Sequence, residues 1–387
     1  MRKNKRLVIK RGDLEFFEIL LLIVISVVPY ISVTVKLALQ LLLVMLNFGK
    51  IRSLSKCFYI ALVLMVVPSL IDLFNVTKGN PYNGNNLAFP LAFLVGALVA
   101  SKYEIDDFME KTERLLFALG ILSLLGMSVY FVAPSLISRF PTYTFYGLSH
   151  RTIYFFNYIY AQGFLMVRNS GIAWEPGVFQ ILMNLGLAIS VARKEKLDYK
   201  RVIVYSTAII FTRSTTGLLI LMINLLLVIR KKKAFIIILL IALAFFSSDV
   251  YSIINYQIGK KWVGSYAFEN RYTPTINALK YGIKFPLGIG STRYNAIYEE
   301  MAIGSFDSYT QILMRYGYGL LGFVIYSLIR ILKRDWFVGI VMILSMLSES
   351  MWNCVFFTTI YFMYLNENSR NTDERIIELE RDNGREE

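Results

Sequence analysis

Arginine is the residue whose placement in this chain points most directly to chemistry. Arg213 separates two apolar runs, within the sequence Thr-Arg-Ser-Thr-Thr-Gly of residues 212–217. Arg315 lies roughly 12–15 Å into another apolar run if that run is a helix. A guanidinium group binds phosphate oxygens in pairs and does not lose its charge. Because charges inside apolar segments are costly, both arginines are candidate ligands of a phosphate or diphosphate.

Arg315 belongs to a polar stripe on one predicted helix. Asp307, Gln311 and Arg315 recur every four residues and therefore share one helical face, with Ser308 beside them. Such a stripe lines either a cavity or a contact between helices. In the first case Asp307 is a candidate proton acceptor, whereas in the second case Asp307 and Arg315 form a structural ion pair.

Glu175 is the second candidate carboxylate. It is the only acidic residue between Glu113 and Glu195, and it lies in the distinctive segment 168–177, where Pro176 opens an apolar run. Proline fits the first turn of a helix, so one role for Glu175 is a helix-terminal carboxylate that offsets the dipole. The other role is a general base or a ligand of sugar hydroxyls beside Arg168.

Aromatic side chains and a single histidine accompany these charges. Aromatic rings stack on the apolar faces of sugars, although Tyr and Trp are also ordinary anchors at membrane interfaces. The predicted sugar contacts are His150, Trp174 and Tyr309. His150 is the only histidine, which excludes a His-rich metal site, and neither Cys57 nor Cys354 lies in a neighbourhood that resembles one. We therefore expect no metal and no cofactor.

The composition is that of a membrane protein. The 387 residues are 56% hydrophobic and only 18% charged, with a mean hydropathy of +0.52. A soluble chain is about 45–50% apolar and 25% charged. Apolar runs that cross a bilayer must be helical, because backbone groups in lipid have to satisfy one another. The sequence predicts an all-α polytopic fold of about twelve transmembrane helices, a single integral membrane domain over residues 1–387. The apolar runs are near 14–28, 31–47, 57–75, 86–101, 115–133, 175–192, 202–212, 216–230, 234–247, 307–331, 335–348 and 351–365.

Basic clusters alternate with these runs. Of the 41 Lys and Arg residues, 28 fall on one predicted face, which the positive-inside rule assigns to the cytoplasm. Both termini are therefore predicted inside, with residues 366–387 as a cytoplasmic tail. The net charge of +14 is explained by this distribution, and nucleic acid is a poor candidate partner. The remaining 13 basic residues lie mainly on the opposite face.

Two long loops are predicted on that opposite, outward face, at residues 134–174 and 248–306. The first loop has three arginines, many aromatic residues and no Asp, Glu or Lys, while the second carries Arg271 and Arg293 among lysines. Loops of this length are usually functional or disordered, and these are too aromatic for disorder. We expect the functional site on this face.

Several short motifs follow one another in the second half of the chain. They are Arg-x-Ser-Gly-x-x-Trp-Glu-Pro-Gly at 168–177, Thr-Arg-Ser-Thr-Thr-Gly at 212–217, Arg271 and Gly282 with ten residues between them, Pro-Leu-Gly-Ile-Gly at 286–290, Ser-Phe-Asp-Ser-Tyr at 305–309 and Arg-Tyr-Gly-Tyr-Gly-Leu-Leu-Gly at 315–322. Their order resembles that of Wzy-type O-antigen and polysaccharide polymerases, the O-antigen ligase/polymerase-like superfamily.

This resemblance implies a GT-C-like glycosyltransferase of the bacterial cytoplasmic (inner) membrane. It would join undecaprenyl diphosphate-linked oligosaccharide repeat units on the outer face, as part of lipopolysaccharide and cell-envelope biosynthesis. Membrane lipids, a chain-length regulator and a flippase are the further partners such a role implies. The related O-antigen ligases often carry a histidine where this chain has Asp307 and Ser308. That departure leaves Asp307 or Glu175 as the candidate base.

The predicted reaction is inverting and independent of metal. A hydroxyl of one repeat unit attacks the anomeric carbon of a growing chain, and arginines stabilise the departing diphosphate. The candidate diphosphate ligands are Arg168, Arg213, Arg271, Arg293 and Arg315. Two alternatives remain at this point. One is an O-antigen ligase that transfers glycan to lipid A-core or another acceptor, and the other is a transporter or flippase of lipid-linked sugars.

Overall fold

The computed structural model describes residues 11–50, 56–76, 81–145, 148–153, 156–159, 167–193, 198–231, 273–301 and 307–366. The predicted apolar run 234–247, the predicted diphosphate ligand Arg271 and nearly all of the predicted tail lie outside these residues. Within them the chain is mostly helical, with one small sheet.

Fourteen α-helices and four strands are described, together with a short 3-10 turn at Phe48–Lys50. The helices are α1 (Arg11–Val27), α2 (Val33–Asn47), α3 (Lys56–Phe74), α4 (Gly84–Ala100), α5 (Ile105–Val132), α6 (Pro134–Ile137), α7 (Pro176–Arg193), α8 (Tyr199–Thr212), α9 (Thr215–Lys231), α10 (Thr273–Lys284), α11 (Gly290–Met301), α12 (Ser308–Arg334), α13 (Trp336–Ser348) and α14 (Val355–Asn366). The strands are β1 (Thr142–Phe145), β2 (Leu148–Ile153), β3 (Phe156–Ile159) and β4 (Arg168–Gly171).

Each predicted apolar run within the described residues coincides with a helix. Four of these helices, α3, α5, α7 and α12, are long and apolar enough to cross a membrane, and several shorter apolar helices accompany them. A helical membrane protein accounts for this pattern. Helix α5 begins about ten residues before its apolar run, because Lys111 pairs with Asp107 and Arg114 with Glu110 one turn apart.

The four strands depart from the all-α prediction. They form an antiparallel meander in the order β1-β2-β3-β4, wholly inside the predicted first outer loop. Tyr, Phe, Thr and Ile favour strands, and short connections let neighbouring strands pair. The register places Tyr143, His150, Ile159 and Arg168 in one row across the sheet. Residues in one such row lie on the same face of the sheet.

Helix α7 forms the centre of the helical layer. Of its 18 residues, 89% are buried, and the helix packs against α5, α8, α9, α13 and β4. The close approach of α8 requires a residue without a side chain, because a Cβ at Gly186 would lie 2.7 Å from the Tyr205 ring. Since 18 residues of helix rise about 27 Å, the two ends of α7 lie on different sides of the structure.

Ion pairs concentrate at the end of the bundle that holds the C-terminus of α7. Arg193 pairs there with Asp335 at 2.5 Å and also with Asp106, and Arg201 pairs with buried Glu113. The Lys102–Glu18 pair joins α1 to the turn before α5, and the Lys111–Glu15 pair joins α1 to α5 itself. The opposite end holds the sheet and the N-terminus of α7.

Helix α12 is interrupted at Gly317, and the segment that precedes α11 packs against this break. Gly317 has φ +71°, so the Tyr318 N–H donates to the Pro286 carbonyl at 3.0 Å instead of to the Met314 carbonyl. The Met314 carbonyl accepts from the Ile289 N–H at 2.8 Å. The backbone groups freed by the break are thus satisfied by another segment, as buried backbone polar groups require.

Candidate functional site

The turn from β4 into α7 places the distinctive segment 168–177 at the sheet end of the bundle. The Asn169 side chain accepts from the Gly171 N–H at 2.9 Å, and Gly171 has φ +51°. A Cβ at Gly171 would lie 2.3 Å from the Phe179 ring, so only glycine fits there. The Trp174 N–H donates to the Val27 carbonyl at 3.1 Å, which fixes the turn to α1.

Arg168 links this turn to the end of α8. Its Nε donates to the Thr212 carbonyl at 3.0 Å and its Nη2 donates to the Arg213 carbonyl at 3.5 Å. A cation at a helix C-terminus is stabilised by the helix dipole. Burial lowers the pKa of Arg168, while the negative charges of Glu175 and Glu349 oppose that shift. The guanidinium group therefore lies close to two carboxylates.

Glu175 directly precedes α7. Its carbonyl accepts from the N–H groups of Val178 and Phe179 at 3.2 and 3.1 Å, so its backbone begins the helix. Its side chain is half-buried and lies within electrostatic reach of both Arg168 and His150. Glu175 thus lies at the helix end where a carboxylate offsets the dipole, and the same carboxylate lies near Arg168 and His150.

Glu349 is the residue at this site that was missed as a candidate. It follows α13, and its carboxylate lies against the first turn of α7, where a Cβ at Gly177 would be only 2.1 Å from Oε1. Its carbonyl accepts from the Ser308 hydroxyl at 2.7 Å, and the same hydroxyl accepts from the Met351 N–H at 2.9 Å. The sequence does show this acidic residue between two apolar runs, but it does not show which residues pack against it.

Arg213 occupies the turn between α8 and α9 in a left-handed conformation, with φ +52° and ψ +34°. Among the described residues it is the one non-glycine residue with positive φ. Such a conformation is uncommon outside glycine and is often retained at functional sites. The Arg213 charge also acts on Arg168. Arg168, Glu175, Arg213 and Glu349 are called the outer cluster below.

His150 lies beside the outer cluster in the sheet. It is fully buried and stacks on Tyr143, with ring centroids 4.9 Å apart. Neither ring nitrogen has a hydrogen-bond partner among the described residues. Burial lowers the pKa of His150, while the negative charge of Glu175 opposes that shift. The imidazole is therefore neutral near pH 7, and both of its nitrogens are buried.

A buried polar chain continues from the outer cluster into the helices. Asn184 donates to Gln180 at 2.9 Å and to the Gly217 carbonyl at 3.2 Å, and Asn224 donates to Asn184 at 3.1 Å. Gly217 belongs to the Thr-Arg-Ser-Thr-Thr-Gly motif, and a Cβ there would lie 2.9 Å from Gln180. This chain couples the turn that carries Arg213 to the first turns of α7.

A second cluster forms around Asp72 and Arg315. Asp72 is fully buried in α3 and accepts from the Ser291 N–H at 2.5 Å, Asn86 Nδ2 at 3.1 Å and the Tyr316 hydroxyl at 3.0 Å. Arg315 donates to the Ser291 hydroxyl at 3.4 Å and covers the Tyr294 ring at 4.3 Å. Asp72 and Arg315 also attract each other electrostatically. Asp72 is not among the predicted site residues, although an acidic residue inside an apolar run is an indication of function.

The other predicted site residues have local contacts. Asp307 caps α12 by accepting from the Thr310 N–H at 2.8 Å and from the Thr310 hydroxyl. The Tyr309 hydroxyl donates to the Ile343 carbonyl at 3.3 Å. Arg293 is exposed on α11, with its guanidinium 5.6 Å from the Phe285 ring centre. Gln311 of the stripe accepts from the Ser350 hydroxyl at 2.6 Å, which joins α12 to the loop that carries Glu349.

The outer cluster combines two arginines and two carboxylates, and the neutral imidazole of His150 lies beside it in the sheet. Within the described part of the chain, no group of three or more His, Cys, Asp or Glu residues is arranged to hold a metal ion. No family model, curated protein or solved structure matches the chain. The cluster can bind an anion through its arginines and accept a proton at a carboxylate.

Proposed function

We propose that this protein is a bacterial polysaccharide polymerase, a membrane glycosyltransferase that joins undecaprenyl diphosphate-linked repeat units. The reaction would occur on the outer face of the cytoplasmic membrane. The observation that carries the proposal is the meeting of Arg168, Glu175 and Arg213 in one cluster with Glu349. Residues 168–177 and 212–217 both resemble polymerase motifs and are far apart in sequence, yet they share this cluster.

The position of the outer cluster supports the same reading. It lies at the end of the bundle away from the ion pairs of Arg193 and Arg201. Under the positive-inside rule the ion-paired end faces the cytoplasm, and the cluster then faces outward. Lipid-linked repeat units on the outer leaflet would reach it without crossing the membrane.

In the proposed reaction, a hydroxyl oxygen of one repeat unit forms a bond to the anomeric carbon of the growing chain. The bond from that carbon to the undecaprenyl diphosphate oxygen breaks, and the diphosphate leaves with the electron pair. Single displacement inverts the anomeric centre. Glu175 would accept the hydroxyl proton, a contribution of about 10²–10⁴-fold.

Arg213 is the proposed ligand of the departing diphosphate, because it lies at a strained turn beside Arg168. Positive groups aimed at developing oxyanion charge lower the barrier without needing to reorganise. Arg168 would position this turn through the Thr212 and Arg213 carbonyls. The contacts of Asp307 with Thr310 favour Glu175 over Asp307 as the base. Arg271, Arg293 and Arg315 remain candidate ligands of the rest of the substrate.

The two rivals predict different charge distributions. A transporter of lipid-linked sugars needs charged groups along a path between both faces, whereas the charged side chains of the outer cluster gather at one end. An O-antigen ligase would use the same chemistry on a different acceptor. The distinction from a ligase therefore depends on the acceptor.

The test compares site variants in reconstituted vesicles supplied with a lipid-linked repeat unit. Arg213→Ala and Glu175→Gln are each expected to lower the initial rate of glycan elongation by about 10²-fold or more. Arg139→Ala is the matched control, since Arg139 is an exposed arginine of the same predicted outer loop, and it should retain the wild-type rate. Wild-type rates in Arg213→Ala and Glu175→Gln would refute the assignment of the cluster.

A further inference from the structure

Helix α10 has three distinct faces. Its buried face packs on α12, where Ala278 is fully buried and a Cβ at Gly282 would lie 2.6 Å from Leu313. A second face carries large apolar side chains that nothing in the described structure covers. A third, narrower edge carries exposed Lys280 and Lys284.

The uncovered face is strongly apolar. Ile276, Leu279 and Ile283 are 44%, 40% and 62% exposed, and Leu287 just beyond the helix is 77% exposed. Their spacing of three and four residues aligns them along one side of the helix. An apolar stripe of this kind is unfavourable in water and is typical of an interaction surface.

Helix α10 is not a spanning helix. It has twelve residues, so it rises only about 18 Å, and it is followed directly by the segment that inserts at the α12 break. That insertion holds Pro286 against Tyr318, ten residues after the start of α12. The helix is therefore anchored near the end of the bundle that holds the N-terminus of α12.

The charge of α10 indicates what covers its apolar face. Residues 273–284 contain two lysines and no acidic residue, and both lysines border the apolar stripe. Lipid phosphates complement this edge while acyl chains complement the stripe. The chain's own segment 232–272 is the competing occupant, but its five basic and two acidic residues give it a net positive charge, which does not complement the two lysines.

We infer that α10 lies in the membrane interface, with Ile276, Leu279, Ile283 and Leu287 among the lipid acyl chains and Lys280 and Lys284 at anionic phospholipid headgroups. This surface accounts for two of the basic residues that the positive-inside rule leaves unexplained. It does not depend on the proposed polymerase function. The second predicted outer loop is thus held at the membrane surface in this part.

The test uses a bimane fluorophore on the full-length protein in vesicles of phosphatidylcholine and phosphatidylglycerol. The label is attached at Ile283→Cys in a Cys57→Ala/Cys354→Ala background and is quenched by lipids that carry a doxyl group. Ile283→Cys should be quenched at least twofold more by a shallow doxyl group than by a deep one. Glu110→Cys is the control, because Glu110 is exposed at the ion-paired end, and its label should show no lipid quenching.

The lysines are tested with the same label. Doxyl-phosphatidylglycerol should quench Ile283→Cys at a lower mole fraction than doxyl-phosphatidylcholine, with up to about fivefold preference per lysine. Lys280→Gln/Lys284→Gln should abolish this preference while leaving quenching by phosphatidylcholine in place. An unquenched label at Ile283 would show that water or protein covers the face and would overturn the inference. Quenching without a loss of preference in the lysine variant would overturn the headgroup assignment.

Discussion

A carboxylate against the first turn of a helix is stabilised by the unpaired N–H groups of that turn. Glu349 takes this position on α7, and the absence of a side chain at Gly177 makes the room for it. Glu349 therefore occupies a place where an anionic group of a substrate would also be stabilised. The two carboxylates of the outer cluster, Glu175 and Glu349, flank Arg168 from the same helix end.

Gly177→Ala tests this placement. The added methyl group would lie 2.1 Å from Glu349 Oε1, and we expect the flexible side chain of Glu349 to turn away rather than the helix to unfold. A misplacement of about 1 Å can cost about 10²-fold in rate, so elongation should fall by that order while the melting temperature changes little. Gly319→Ala is the control, because no atom lies within 4 Å of its added Cβ. Equal rates in both variants would contradict the placement.

His150 predicts an acid-dependent loss of stability. Burial holds the pKa of His150 below its ordinary value of about 6.5, so the folded state resists protonation. This contribution is fully present above pH 6.5 and is lost as the pH falls through the lowered pKa, by at most about 1.4 kcal/mol per pH unit for one proton. Thermal unfolding in detergent at pH 7.5 and 5.0 should show a smaller acid-induced fall for His150→Gln than for the wild type. Equal falls would show that His150 protonates freely in the folded protein.

At the scale of elements, the break in α12 holds the segment 286–290, which belongs to the second predicted outer loop. Gly317 and Gly288 both have positive φ, and each lies against backbone atoms of the other's segment. A Cβ at Gly317 would lie 2.0 Å from the Pro286 carbonyl oxygen. The two glycine motifs of residues 286–290 and 315–322 therefore pack directly against each other, and this contact is called the joint below.

Gly317→Ala is expected to open this joint. Strain at a positive φ costs about 1–3 kcal/mol, and the steric conflict with the Pro286 carbonyl adds to it. The melting temperature should fall, and limited proteolysis should reach residues 273–301 sooner. Gly322→Ala in the same helix has no atom within 4 Å of its added Cβ and should behave like the wild type. Equal proteolysis of the two variants would contradict the joint.

Asp72 is expected to hold α11 to α3. Asp72→Ala leaves the Ser291 N–H, Asn86 and Tyr316 without their shared acceptor, at a cost of about 1–3 kcal/mol for each unsatisfied donor. Amide hydrogen exchange should accelerate across residues 290–297, whereas Asp72→Asn, which keeps one acceptor oxygen, should show a smaller change. Unchanged exchange in Asp72→Ala would exclude this role.

The helices could be predicted from the sequence because hydropathy is a local property of a run of residues. The sheet of residues 142–171 could not, since its strands are only four to six residues long and interrupt an aromatic stretch without a regular alternation. The contacts of Asp72 with Ser291 and of Glu349 with Gly177 join residues far apart in sequence. Such pairings depend on how helices pack, which composition and periodicity do not specify. The candidate arginines could be identified from the sequence, but their division between two separate clusters could not.

At the scale of the whole molecule, charge is divided between two ends. The ion pairs of Lys102, Lys111, Arg193 and Arg201 gather at the end that the positive-inside rule assigns to the cytoplasm. The outer cluster, the sheet and the inserted segment 286–290 lie towards the other end. This polarity is what a membrane enzyme needs if its substrates remain in one leaflet.

The most direct measurement of the central proposal is the product distribution of the purified wild-type protein. The protein is reconstituted in vesicles with one purified undecaprenyl diphosphate-linked repeat unit as the sole sugar substrate. The proposal predicts a ladder of lipid-linked glycans spaced by one repeat unit, with one undecaprenyl diphosphate released for each bond formed. Glycan transferred only to a different added acceptor would identify a ligase. Repeat units that cross the membrane without any new glycosidic bond would contradict the enzyme assignment altogether.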